Sequence, residues 1–154
     1  MKKIISSLLV FLLPLPLPLA LSLSLALSLA LSFSMSATAS NVGTMPSKQA
    51  AVAVTKALQP DGKIRFDFKT IPAKGLKINT DGPWSLELKS HPGLELAKEK
   101  LGRAEFQDAI PGFSLLAKPA EKSGKVDFKM VVFVCTAEKT QCFRDVHQGS
   151  INWP

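Results

Sequence analysis

The feature that most constrains the fold is the segment 126–135, in which apolar side chains occupy every second position. Its even-numbered residues from Val126 to Val134 are all apolar. Because successive side chains of a β-strand point to opposite faces, this side must face a hydrophobic core. The odd-numbered side becomes apolar from Val131 onward. The strand therefore either lies centrally with both faces covered at that end, or exposes an apolar patch beside Cys135.

Shorter segments earlier in the chain show the same period of two or a brief extended pattern. They are residues 51–54, 64–69, 76–79, 84–89 and 112–118. Turn-forming sequences such as Gln59-Pro60-Asp61-Gly62 separate them. Segment 94–107 mixes helical and strand spacing, and we interpret it as a strand that runs into an irregular loop. About seven or eight strands without a long helix predict an all-β, immunoglobulin-like antiparallel β-sandwich, with a small β-barrel as the open alternative.

The first part of the chain has the three regions of a secretory signal in order. Lys2 and Lys3 are basic, an apolar and hydroxyl-rich stretch follows over residues 4–35, and Ala37-Thr38-Ala39 offers a small-residue cleavage site. We predict a signal peptide over residues 1–39, a flexible tether over 40–48 and one sandwich domain over 49–154. An uncleaved anchor is the alternative, since the stretch is long enough to span a bilayer.

Two features argue against the anchor. Pro14, Pro16 and Pro18 each remove a helix donor, and the Leu-Ser alternation over residues 21–32 dilutes the hydrophobicity that a stop-transfer segment concentrates. We therefore expect a periplasmic or extracellular protein with no stable membrane insertion after cleavage.

The charge pattern does not indicate a nucleic-acid partner. The whole chain has 19 Lys and Arg against 12 Asp and Glu, a net charge of +7, and removal of Lys2 and Lys3 leaves +5. The basic residues are scattered singly along the predicted strands, with no basic cluster interleaved with aromatic residues. Solvated strand faces explain this pattern.

The chain has two cysteines, Cys135 at the end of the strongest strand and Cys142 at the start of the next. In an exported protein their expected state is a disulfide across a hairpin. Such a bridge would stabilise the fold by about 2–3 kcal/mol in the chain-entropy model. It serves either as a permanent structural clip or as a redox pair. Lys139 and Arg144 would favour a nearby thiolate and so speed exchange.

A series of short motifs runs in order along the chain, namely residues 75–79, 82–84 and 128–134, then Cys135, a polar loop, Cys142 and Phe143. These motifs resemble the amino-terminal periplasmic domain of the thiol:disulfide interchange protein, the DsbD type, over most of residues 50–153. In that family five residues usually separate the cysteines, whereas six do here.

The resemblance implies a fold and a function. It implies an immunoglobulin-like sandwich in which Cys135 and Cys142 are the catalytic, exchanging pair and Phe143 is the aromatic residue that follows them. The expected partners are thioredoxin-like or disulfide-isomerase proteins, and no cofactor is expected. The alternative is a non-enzymatic envelope binding or structural module whose hairpin disulfide is permanent.

The remaining candidate residues indicate no second chemistry. His147 and Asp145 could join the cysteines in a metal site, but the cysteine spacing is not that of a zinc knuckle, so we expect no metal. We interpret His91 and His147 as surface residues. Trp84 and Trp153 are interpreted as core aromatics. Nothing in the sequence matches a nucleophile elbow or a phosphate-binding loop.

Overall fold

The computed structural model describes residues 39–89 and 91–153. The predicted signal peptide over residues 1–39 lies outside these residues except for Ala39. The described part contains one short 3₁₀ helix, Arg103–Glu105, and ten strands. The strands are β1 Ala39–Pro46, β2 Ala50–Leu58, β3 Ile64–Pro72, β4 Leu76–Ile78, β5 Ser85–Leu88, β6 Leu94–Leu96, β7 Lys100–Leu101, β8 Gly112–Pro119, β9 Gly124–Thr136 and β10 Cys142–Trp153.

The strands form two antiparallel sheets. The first sheet has the order β1-β2-β3-β8-β6, and the second has the order β10-β9-β5-β7 with β4 also paired to β9. Among the described residues, the pairing of neither sheet closes on itself, which distinguishes the architecture from the barrel alternative. The prediction of an all-β antiparallel sandwich is therefore confirmed, with two strands more than the upper estimate from the sequence.

One hydrophobic core lies between the two sheets. The even-numbered residues of β9 from Val126 to Val134 all contribute to it, as the alternation predicts. Trp84 and Trp153 are each only 2% exposed, so their prediction as core aromatics is confirmed. Phe66 and Phe68 of β3 contribute from the opposite sheet, and Phe68 meets Phe128 edge to face with ring centroids 4.9 Å apart.

At its Cys135 end, strand β9 is covered on its second face as well as on its core face. Val131 is 6% exposed and Cys135 is 2% exposed, while Phe133 between them is half-buried. The connection from β4 to β5 passes over Phe133, and a Cβ atom added to Gly82 would lie 2.5 Å from its ring. Of the two alternatives for this strand, the central position with both faces covered is the one found.

The tether predicted over residues 40–48 is wrong for most of its length, because Ala39–Pro46 forms the edge strand β1. Its backbone pairs with β2, with an irregularity between Asn41 and Gly43. Val42 and Met45 pack against the core, and the Met45 side chain reaches Gly149 of β10 in the other sheet. Backbone pairing and two apolar contacts thus order a segment whose small, polar composition suggested disorder.

The ambiguous segment 94–107 begins as a strand and continues irregularly, as interpreted. It contains β6, the two-residue strand β7 and the 3₁₀ helix. Glu105 holds this region by accepting hydrogen bonds from the Gly102 amide and from Lys98 Nζ. Within the described ranges, no helix has the length and apolar content needed to cross a membrane.

The contact between Met45 and Gly149 allows a direct test of the β1 assignment. If β1 is docked, Met45→Ala should lower the free energy of unfolding by about 1–2 kcal/mol, below the range for a fully buried methionine because Met45 is half-buried. The control is Thr44→Ala, one residue earlier on the exposed side of β1, which should change it by less than about 0.5 kcal/mol. Urea denaturation measures both. Equal, negligible effects would contradict a docked β1.

Candidate functional site: a cross-strand disulfide

The candidate site lies at the tip of the hairpin formed by β9 and β10. The register places Cys142 directly opposite Cys135 and Phe143 opposite Val134. Inside the loop, the Thr136 amide donates to the Gln141 carbonyl at 2.9 Å, and the Lys139 amide donates to the Thr136 carbonyl at 3.0 Å. Lys139 adopts a left-handed conformation with φ of 55°, which lets the chain reverse direction between the two strands.

The two cysteines form a disulfide, as predicted, with their Cα atoms 4.0 Å apart. Of the two kinds of directly opposed pair in an antiparallel ladder, this separation is nearer to the non-hydrogen-bonded kind, whose Cα atoms lie about 4.5 Å apart. Directly opposed residues point to the same face of a sheet, and neighbouring residues of a strand point to opposite faces. Since Val134 and Phe143 point to the core, the side chains of Cys135 and Cys142 point away from it. The bridge therefore lies on the outer face of the second sheet.

The two halves of the disulfide differ in exposure. Cys135 is 2% exposed, because β9 has β4 on one side and β10 on the other. Cys142 is exposed, because β10 is the edge strand of its sheet. An attacking thiolate can therefore reach the Cys142 side of the bridge and is obstructed at Cys135.

The register also identifies the neighbours of the disulfide on the outer face. Lys77 of β4 lies opposite Cys135, and Arg144 of β10 lies opposite Phe133. Sequence reasoning singled out Arg144 and placed Phe133 on the face of Cys135, but it missed Lys77 as a neighbour of the cysteines. The pattern of β9 places Phe133 on the Cys135 face, but no local signal brings Lys77 there, since strand pairing alone does so.

Phe143 and Lys139, which the sequence associated with the cysteines, do not lie beside the disulfide as expected. Phe143 lies opposite Val134 on the core face of β10, whereas Phe133, opposite Arg144, shares the outer face with the bridge. Lys139 Nζ lies 3.8 Å from a carboxylate oxygen of Asp81, which partly offsets its charge.

The interpretation of His147 as a surface residue is wrong, because the residue is 4% exposed and lies opposite Met130 on the core face of β10. Its Nε2 atom is 3.4 Å from the Asp145 carboxylate, which also accepts a hydrogen bond from the Ser47 hydroxyl. Asp145 and His147 thus lie on the opposite side of β10 from the side chain of Cys142. Among the described residues, no three His, Cys, Asp or Glu side chains converge on a metal site.

His91 has a local structural role. Its Nδ1 accepts a hydrogen bond from the Gly93 amide at 3.0 Å, and its ring packs edge to face with Trp153 at a centroid distance of 5.1 Å. The hydrogen bond lies within the turn before β6, and the ring contact joins that turn to the end of β10.

A second concave surface of about 780 Å³ lies on the second sheet, toward the end of β9 that is remote from the cysteines. Its charges are mixed: Lys100 pairs with Glu87 at 3.3 Å, and Asp127 and Lys129 also line it. The hydroxyl of Ser150 donates to Asp127 and lowers the pKa of that carboxyl. Because the opposing charges lie side by side, this surface shows no preference for a ligand of one sign.

Comparison with known proteins finds no relative: no family model, no curated protein and no solved structure matches the chain. The functional argument therefore depends on the geometry of the disulfide and its surroundings.

The disulfide should contribute measurably to stability whatever else it does. A loop of this length corresponds to about 2–3 kcal/mol in the chain-entropy model, so reduction should lower the free energy of unfolding by that amount. Urea denaturation with and without a phosphine reductant measures the difference. The Cys135→Ala/Cys142→Ala variant, insensitive to the reductant, is the control. A difference below about 0.5 kcal/mol would contradict this prediction.

Proposed function

We propose that the chain is an exported envelope domain that exchanges its Cys135–Cys142 disulfide with partner proteins. It would act like the amino-terminal domain of the DsbD-type thiol:disulfide interchange protein, which its motifs resemble. The observation that carries the proposal is the unequal exposure of the bridge, with Cys142 on an edge strand and Cys135 buried. An accessible sulfur is a requirement for exchange.

The exchange step follows from this exposure. A partner thiolate attacks Cys142 Sγ, a new bond forms between the two sulfurs, and the Cys135–Cys142 bond breaks. The electron pair of the broken bond leaves with Cys135 as a thiolate, which then takes up a proton. A second thiol of the partner attacks the mixed disulfide and releases Cys142 as the second thiol. The domain is thereby reduced by two electrons, and the partner is oxidised to a disulfide.

The expected partners are thioredoxin-like or disulfide-isomerase proteins of the compartment outside the cytoplasm. Proteins of that class supply a reactive thiolate and a second, resolving cysteine, which the reaction requires. The predicted signal peptide would bring the domain to a periplasmic or extracellular location, where such partners act on exported proteins.

A permanent structural disulfide is the second candidate function, and one observation favours it. The pairing of β9 and β10 already brings Cys135 and Cys142 face to face, and a clip at that position would hold the end of two long strands together. In that case the domain would be a binding or structural module of the envelope.

Trapping in cells distinguishes the two functions and the two cysteines. In Cys135→Ser, Cys142 is a free thiol whose thiolate attacks the disulfide of an oxidised partner and releases one partner thiol. This gives the same mixed disulfide that forms when a reduced partner attacks Cys142, and it should accumulate because Cys135 is no longer present to resolve it. The matched variant Cys142→Ser should trap several-fold less, because its remaining cysteine is buried. Non-reducing gels after acid quenching and alkylation measure the adducts, and mass spectrometry identifies the partner.

Two results would count against the proposal. Absence of an adduct in both variants, with the protein folded and exported, would favour the permanent clip. Stronger trapping by Cys142→Ser would contradict the assignment of Cys142 as the attacked residue.

A further inference from the structure

The disulfide lies beside two cations on the outer face of the second sheet. Lys77 and Cys142 each lie opposite Cys135, so the three residues form one row across β4, β9 and β10. Arg144 is two residues beyond Cys142 on the same strand, and its side chain therefore points to the same face. Both basic residues are exposed, one on each side of the bridge.

The charges of these two residues are not offset by ion pairs. Among the described residues, Lys77 and Arg144 take part in no salt bridge, whereas Lys139 of the hairpin loop pairs with Asp81. Glu138 is the carboxylate of the hairpin loop, whereas Asp81 lies in the connection between β4 and β5. The charge balance around the accessible sulfur is therefore positive, in contrast to the mixed concave surface at the other end of the sheet.

We propose that Lys77 and Arg144 select partners whose attacking cysteine is surrounded by carboxylates. This inference rests on the proposed exchange function and specifies the class of its partner. The partner brings a thiolate, which is itself an anion, toward a sulfur flanked by two cations. Acidic groups around that thiolate would add to the attraction, and basic groups would oppose it.

The same charges also act on the chemical step. As the partner thiolate attacks, negative charge spreads over three sulfurs and then moves to Cys135, which lies next to Lys77 in the row. A neighbouring cation stabilises a developing thiolate. Lys77 is therefore placed to assist the leaving sulfur, and Arg144 is placed to attract the incoming one.

Small thiols of different charge test the inference without knowledge of the partner. The rate of reduction of the oxidised protein is measured with mercaptoethanesulfonate, mercaptoethanol and cysteamine. Each rate is divided by the rate at which the same thiol reduces the small uncharged disulfide bis(2-hydroxyethyl) disulfide under the same conditions, which removes differences in thiolate concentration and intrinsic nucleophilicity. At low ionic strength this normalised rate should be about fivefold to tenfold higher for the anionic thiol than for the cationic one, a modest steering effect. The ratio should approach one near 1 M salt, where the Debye length is about 3 Å.

Charge variants assign the effect to the two residues. Lys77→Gln/Arg144→Gln should lower the low-salt ratio to about one, and Lys77→Glu/Arg144→Glu should invert it. The control Lys122→Gln/Lys125→Gln removes the same charge at the opposite end of β9, where both residues are exposed, and should leave the ratio unchanged.

Failure of this inference can be told apart from failure of the proposed function. Ready reduction by all three thiols at equal normalised rates would overturn the charge selection and leave exchange standing. An unchanged ratio in the Lys77 and Arg144 variants would also overturn it. A disulfide that resists all three thiols would overturn both proposals.

Discussion

The antiparallel register between β9 and β10 is the constraint on which the rest of the structure depends. It is fixed by core packing: Ile151 lies opposite Val126, and Trp153 lies opposite Gly124, whose missing side chain leaves room for the indole. A slip by one residue would turn every side chain of one strand to the wrong face. The same register places Cys142 opposite Cys135. Core packing at one end of the hairpin therefore determines that the two cysteines face each other at the other end.

The edge position of β10 then gives the disulfide its asymmetry. A bridge between two central strands would have both sulfurs covered, whereas here Cys135 lies between neighbours and Cys142 lies at the border of the sheet. The pairing of β4 with the end of β9 adds Lys77 to the same face. Accessibility of Cys142 and adjacent positive charge are two conditions that favour attack by a thiolate, and both follow from strand order.

The sequence predicted the features that depend on local pattern. The alternation of β9 and the position of the two cysteines in a hairpin were sufficient for the sandwich and its disulfide, and the two tryptophans were assigned correctly to the core. The strand β1 was missed because its residues are small and polar, and its order comes from pairing with β2 and from the contact of Met45 with Gly149.

Features that depend on distant parts of the chain could not be predicted in the same way. His147 lies on the core face of β10, but its strand has a polar composition that does not reveal which side is covered. Lys77 reaches Cys135 only through the pairing of β4 with β9. Asp81 and Lys139, which form an ion pair, are equally far apart in the sequence.

The reduction potential of the Cys135–Cys142 pair is the most direct test of the account. It is obtained by equilibrating the folded protein in thiol buffers of known potential, quenching with an alkylating agent and measuring the oxidised fraction by mass spectrometry. An exchanging pair should have a potential above about −300 mV, within reach of protein thiols outside the cytoplasm. A potential well below about −300 mV would show a bridge that resists reduction and would contradict the exchange function.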